Sequence, residues 1–176
     1  MAEIYVSVGS NIHRYRHIAA SLDALQSCFG KLIISPIYES EAVGFKGDNF
    51  LNLVVGFASD YCVRELREVL RKIEDDHGRL RGGPKFSSRT LDIDILTVDN
   101  LVGDVDGVLL PRPEILDNAF VLRPMFDVVA KQIHPLTKTS YEALWLEYDK
   151  NSQKLWPVDF EWQGQTISSK KTINKS

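Results

Sequence analysis

Asp92 and Asp94 alternate with leucine and isoleucine in T-L-D-I-D-I-L, residues 90 to 96. Aspartate is poorly suited to a strand, and like charges on one face repel. If the stretch is a strand, residues two apart point the same way. Both carboxylates then share one face, their Cα atoms roughly 7 Å apart, while Leu91, Ile93 and Ile95 face a core. Two carboxylates so spaced can hold one hard cation between them or one each of two. Mg²⁺ favours a few carboxylates completed by phosphate oxygens and water. A lone D-x-D is as easily a solvated strand face; its neighbourhood argues for more.

From Arg79 to Arg89 the chain carries four cations (Arg79, Arg81, Lys85, Arg89) and no acid; from Thr90 to Pro111 it carries five aspartates and no Lys or Arg. Gly82, Gly83 and Pro84 make the basic stretch a loop. A cationic loop beside a fixed anionic pair suits a magnesium-bound polyphosphate, with arginines clamping phosphate oxygens, and such a loop can close as a lid. A second group lies in N-F-L-N-L-V-V, residues 49 to 55, where Phe50, Asn52 and Val54 share a strand face. A ring beside an amide that donates and accepts suits a flat polar heterocycle, though Phe50 could equally be core and Asn52 an edge residue.

The elements that must position these groups follow from periodicity. Residues 3 to 9 read as a strand, and Asn11 as the cap of a helix with apolar positions Ile18, Leu22, Leu25 and Phe29, stopped by Gly30. Residues 31 to 40 read as a second strand, edge or bulged because of Pro36, and 49 to 59 as a third. Val63, Leu66, Leu70, Ile73 and His77 line a second helix that ends at Gly78. The fourth strand is 90 to 98. The order β-α-β-β-α-β predicts an α+β, ferredoxin-like sandwich with added C-terminal helices or strands. Its second face would be covered in part by helices over 123–133 and 140–149. The expected catalytic domain is 1–162, followed by a polar tail that frays from Gln163.

Other candidates carry less. His13 and His17, one helical turn apart without a third ligand, read as a solvated helix face. His77 reads as a charge or cap at a helix end. The G-S-N turn at 9 to 11 lacks the lysine of a phosphate loop and reads as a tight turn close to ligand. Trp145, Trp156 and Trp162 are expected to pack the C-terminal segment.

R-T-L-D-I-D-I-L, with Y-V-S-V-G-S-N near the start and N-A-F-V-L-R-P-M-F later, resembles the hydroxymethyl-dihydropterin pyrophosphokinase family of folate biosynthesis, over about Ile4 to Trp145. The resemblance implies a ferredoxin-like fold and transfer of the β,γ-pyrophosphoryl group of ATP to the hydroxymethyl of a dihydropterin, releasing AMP. It assigns Asp92 and Asp94 to two Mg²⁺ ions on the ATP phosphates, and Arg79 and Arg89 to catalysis from a mobile loop. It implies nucleotide contacts at Glu74, Arg81, Lys85, Ile95 and Arg112. The implied pterin pocket comprises Gly9, Ser40, Val43, Phe50, Asn52, Phe86 and Phe120, with Phe120 stacked opposite Phe50.

The chain also departs from that family's usual pattern. Phe86 stands where tryptophan is usual, Ser87-Ser88 where Gly-Pro is usual, and S-E-A-V-G (40–44) lacks a proline. Arg112 replaces a histidine between two prolines, and Asn118 replaces an arginine. Arg112 is therefore expected to take over phosphate charge missing at Asn118. The departures leave open a paralogue with weaker nucleotide binding or a different pterin, and a non-catalytic small-molecule-binding domain is the remaining rival.

With 176 residues, net charge −3 and a pI near 5.8, nothing advertises a nucleic-acid or membrane surface. An RNA-recognition module shares the element order but would need a basic, aromatic sheet face that is missing here. Cys28 and Cys62 make neither a disulfide framework nor a zinc site and are expected to be buried thiols. No leader or apolar span is evident, so the expectation is a cytoplasmic monomer whose partners are ATP and a dihydropterin.

Overall fold

Alternating apolar residues at Ile4, Val6 and Val8 build β1 (Ala2–Ser10), which pairs antiparallel along its whole length with β4 (Phe50–Ser59). The computed structural model describes residues 1–42, 47–78 and 91–171. Between these strands lie α1 (Arg14–Phe29), β2 (Ile33–Ile34) and β3 (Tyr38–Ser40); α2 (Val63–Asp76) and β5 (Asp92–Val98) follow. The remaining elements are β6 (Gly103–Val105), β7 (Val108–Leu110), α3 (Glu114–Asp117), α4 (Ala119–Val129), α5 (Tyr141–Glu147), β8 (Leu155–Pro157), β9 (Phe160–Trp162) and β10 (Gln165–Ser168). The main sheet is antiparallel in the order β5-β1-β4-β3-β8, with β2 also on β4.

The sheet separates two cores. One face carries Ile4, Val6, Val8, Leu51, Leu53, Ile93 and Ile95 against Ile18, Leu22 and Leu25 of α1 and Leu66, Leu70 and Ile73 of α2. Each such fully buried side chain contributes about 1.5–3 kcal/mol. The other face is covered by α4 and α5, where Val121, Leu122, Met125 and Trp145 pack on Tyr5, Val54 and Leu96. These two helices supply the cover expected from the sequence.

Register explains which side chains reach that second face. Val6 pairs with Ile95 but Tyr5 pairs with Thr97, so Leu96 is an extra residue in β5. The bulge switches parity: Asp92, Asp94 and Leu96 point away from α1 and α2, whereas Val98 returns to the first core.

Several expectations are corrected. The cap of α1 is His13, in the left-handed region at φ 44°, not Asn11. The Asn11 amide instead donates to the Asp48 carbonyl at 3.1 Å. The resulting helix phase puts His17 on the buried stripe with Ile18, Ser21, Leu22 and Leu25, so it is not a solvated histidine. Its Nδ1 lies 2.7 Å from the Ile12 carbonyl, and its ring meets that of His77 edge-on at 5.4 Å. Cys28 and Cys62 are both exposed: Cys28 lies on the solvent side of α1, and Cys62 is the residue that caps α2.

The second strand is broken at Pro36, and Ser35 bridges the break: its hydroxyl accepts from Val54 N at 2.9 Å and its amide donates to Val54 O. Among the described residues β2 pairs with β4 alone, so that half is an edge as expected, but β3 after the break is not, because β8 pairs with it on the far side. Nor does the chain fray at Gln163. β10 pairs with β9, and buried Ser168 accepts a 2.8 Å hydrogen bond from Ile37 N, taking up a donor that the broken strand leaves open.

Candidate active site

Cross-strand register lays the candidate groups in a row over the second face of the sheet. Asp92 is opposite Gly9, Gly9 opposite Asn52, and Asn52 opposite Tyr38. Neighbouring strands lie about 4.8 Å apart, so Asp92 and Asn52 stand on backbones about 10 Å from each other with only Gly9 between. A Cβ at Gly9 would sit 3.2 Å from Asn52 Oδ1 and 3.8 Å from Phe50 Cδ1. The absence of a Cβ at Gly9 therefore lets the Asn52 amide and the Phe50 ring lie close against the strand that separates them from the carboxylates.

At the acidic end, Asp92 and Asp94 line a cleft of about 490 Å³ with Glu74, Arg112, Leu109 and Glu114. Arg112 Nη2 is 3.5 Å from Asp94 Oδ1, and Arg112 Nε is 2.7 Å from Glu114 Oε2. The bulge sets this contact, since Arg112 N donates to the Leu96 carbonyl at 2.9 Å. Burial, and then the neighbouring Asp92 charge, raise the Asp94 pKa from 3.8 to about 7, against the pull of Arg112. A carboxyl so perturbed is short of positive charge, and its hard oxygens suit a hard cation. Glu74 is 4% exposed, and its Oε2 accepts from Ile93 N at 2.8 Å, bracing α2 against β5 between the two aspartates. Ile95 borders the cleft, but its side chain belongs to the first core.

At the amide end, Asn52 is buried and its Nδ2 donates to Ser40 Oγ at 2.8 Å. That bond fixes the amide plane and directs Oδ1 toward the Gly9 side of the row. Phe50 is half-buried on the same face, and Phe120 is half-buried on α4 at the margin of the second core. An anchored amide beside the Phe50 ring can read the edge of a planar heterocycle and offer a face to stack on.

The profile of the 7,8-dihydro-6-hydroxymethylpterin-pyrophosphokinase (HPPK) family matches residues 5–130. The chain belongs to the HPPK family. An HPPK relative from Aquifex aeolicus, a 2-amino-4-hydroxy-6-hydroxymethyldihydropteridine pyrophosphokinase, is 31% identical over 138 residues, covering 77% of this chain and 86% of that protein. The Bacillus subtilis protein of the same name is 28% identical over 156 residues, covering 86% and 89%. Among solved structures, wild-type Plasmodium falciparum HPPK-DHPS with pteroate superposes with a TM-score of 0.73 over 98% of this chain at 12% identity, a likeness of fold. This chain spans 48% of that longer one.

The structure thus brings Asp92, Asp94, Glu74, Ile95 and Arg112 to one cleft, and Gly9, Ser40, Phe50 and Asn52 together on the neighbouring strands. The expectations at Val43, Arg79, Arg81, Lys85, Phe86 and Arg89 fall outside the described residues. Asn118 is engaged elsewhere: its Oδ1 accepts from Gln153 Nε2 at 3.0 Å, while Ala119 N donates to Gln153 Oε1. Sequence reasoning missed Glu114, although an acid two residues after an arginine in P-R-P-E was a usable signal.

Proposed function

We propose that this HPPK-family chain transfers the β,γ-pyrophosphoryl group of ATP to the hydroxymethyl oxygen of 6-hydroxymethyl-7,8-dihydropterin, releasing AMP, in folate synthesis. One observation supports the reading beyond family membership: the half-buried carboxylate pair stands across Gly9 from the anchored Asn52 amide. In this reading the triphosphate lies over Asp92 and Asp94 and the pterin edge meets Asn52, with Phe50 and Phe120 on its faces. The substrate hydroxyl forms a bond to the β-phosphorus as the bond to the α,β-bridging oxygen breaks; AMP carries away that oxygen, and the hydroxyl proton passes to solvent.

Asp92 and Asp94 would hold Mg²⁺, two ions in this reading, which supplies charge neutralisation of the phosphates. Mg²⁺ held by two carboxylates would take phosphate oxygens and water as its remaining ligands. Arg112 holds a guanidinium beside Asp94, where triphosphate oxygens would collect. Arg79 and Arg89 would stabilise developing charge, Arg81 and Lys85 would bind nucleotide, and Val43 and Phe86 would contribute to the pterin pocket. Positioning and electrostatics suffice for such a transfer without a strong general base.

The strand order also supports a ferredoxin-like sandwich, because the four expected strands run fourth, first, third, second across the sheet. In this reading residues 1–162 are one catalytic domain to which β10 adds, acting as a cytoplasmic monomer. No helix among the described residues is long and apolar enough to cross a membrane.

Chromatography of nucleotides after incubation with MgATP, with and without the dihydropterin, tests the activity. AMP that forms only with the pterin supports it. ADP as the product would mean attack at the γ-phosphorus and overturn it.

A further inference from the structure

Behind the amide end of the row lies a buried polar cluster that the reaction itself does not require. Tyr38 follows Asn52 in the cross-strand row, on the same sheet face. Its hydroxyl donates a 2.6 Å hydrogen bond to Asp127 Oδ2 on α4, and Arg123 Nε lies 3.2 Å from Asp127 Oδ1. The Arg123 guanidinium is held over the rings of Tyr38, Phe126 and Trp145, at 5.4–5.8 Å from their centroids. Burial first, then the Asp127 charge, push the Tyr38 phenol well above its ordinary pKa, so it remains a donor throughout the working range.

A buried ion pair is weak support for stability, because apolar residues of similar volume often do as well. What such a pair fixes is geometry. Phe120 and Asp127 are seven residues apart on α4, nearly two turns, so they lie on one helix face about 10 Å apart along its axis. On β3, Tyr38 and Ser40 share a face, and Ser40 is the residue that anchors the Asn52 amide. One end of each element is thus tied to the other by the Tyr38–Asp127 bond, and the opposite ends carry the groups around the pocket.

We infer that Tyr38 and Asp127, held by Arg123, are positioning residues for the dihydropterin: their hydrogen bond sets the height and rotation of α4, and hence the gap between Phe120 and the Phe50–Asn52 floor. This rests on the reading of Asn52, Phe50 and Phe120 as the pterin pocket. A short bond to a carboxylate is directional and stronger than a neutral one, so it resists sliding of helix on sheet better than apolar packing alone.

Steady-state kinetics on the full chain tests it, with MgATP and 6-hydroxymethyl-7,8-dihydropterin each varied in turn, alongside thermal unfolding. Tyr38→Phe deletes only the hydroxyl and is expected to raise KM for the pterin about tenfold, in line with a misplacement of several tenths of an ångström. KM for ATP is expected to stay within about twofold. Asp127→Ala should do the same, whereas Asp127→Asn keeps an acceptor for the Tyr38 hydroxyl. It should therefore hold the pterin KM near wild type even though unfolding moves to lower temperature. Asn52→Ala serves as the reference for the pocket. If it raises the pterin KM and Tyr38→Phe does not, the inference is overturned and the pocket stands. If Asn52→Ala leaves the pterin KM unchanged, the pocket reading fails and takes the inference with it. Parallel rises in both KM values, tracking lost stability in Tyr38→Phe and Asp127→Asn alike, would also overturn it.

Discussion

Asp94→Asn should make the protein without metal or nucleotide more stable at pH 8 while removing its turnover. The reason is the position of the Asp94 carboxyl between burial and the Asp92 charge, which raises its pKa from 3.8 to about 7 with Arg112 already opposing the shift. A group whose pKa is higher in the folded state stabilises that state most below its unfolded pKa, and the benefit fades as pH rises through the folded value. For Asp94 the window is about pH 4 to 7, and at pH 8 the folded chain carries the full strain. The interval corresponds to at most about 4 kcal/mol. Because a third of the side chain is open to solvent (33%), screening reduces this to about 1–2 kcal/mol. For a chain of this size that is a rise of about 3–6 °C in Tm. The assay is thermal unfolding of wild type and variant at pH 5 and pH 8 in chelator. Wild type should lose more stability than Asp94→Asn between the two pH values. Turnover with MgATP should fall about 10²–10³-fold or more. A variant that melts lower than wild type at pH 8, with the same pH response, would show Asp94 to be a structural carboxylate and refute the reasoning.

Other perturbations separate the parts of the site. Arg112→Ala should raise KM for ATP well beyond Asn118→Ala, whose amide is occupied by Gln153 and whose loss should register in Tm instead; equal small KM effects would remove Arg112 from the nucleotide site. Gly9→Ala places a methyl group 3.2 Å from Asn52 Oδ1 and should raise the pterin KM several-fold with the ATP KM little changed, which initial-rate kinetics can read directly. Ser168→Ala leaves the buried Ile37 amide without its acceptor and should lower stability by about 1–3 kcal/mol in urea unfolding; an unchanged midpoint would show that the hydrogen bond contributes nothing.

The period-2 pattern was enough to place Asp92 and Asp94 on one face and Ile93 and Ile95 on the other, because a strand offers only two faces. The stripe Val63, Leu66, Leu70, Ile73 likewise revealed the buried side of α2. Features set by non-local contacts were not legible. Nothing local in the sequence announces that Ser168 will meet Ile37, 131 residues away, or that Tyr38 will reach Asp127, 89 residues away. The burial of His17 depended on the helix phase, which a left-handed residue at His13 decides and composition does not. The contact of Arg112 with Asp94 required the bulge at Leu96, invisible in a run of apolar residues that satisfies an unbroken strand equally well.

³¹P NMR of the protein with Mg²⁺, ATP and 6-hydroxymethyl-7,8-dihydropterin tests pyrophosphoryl transfer most directly. Resonances of AMP should grow in step with those of a pterin diphosphate, and neither should appear when the pterin is left out. ADP together with a pterin monophosphate would contradict the reading, as would an ATP spectrum that stays unchanged with both substrates present.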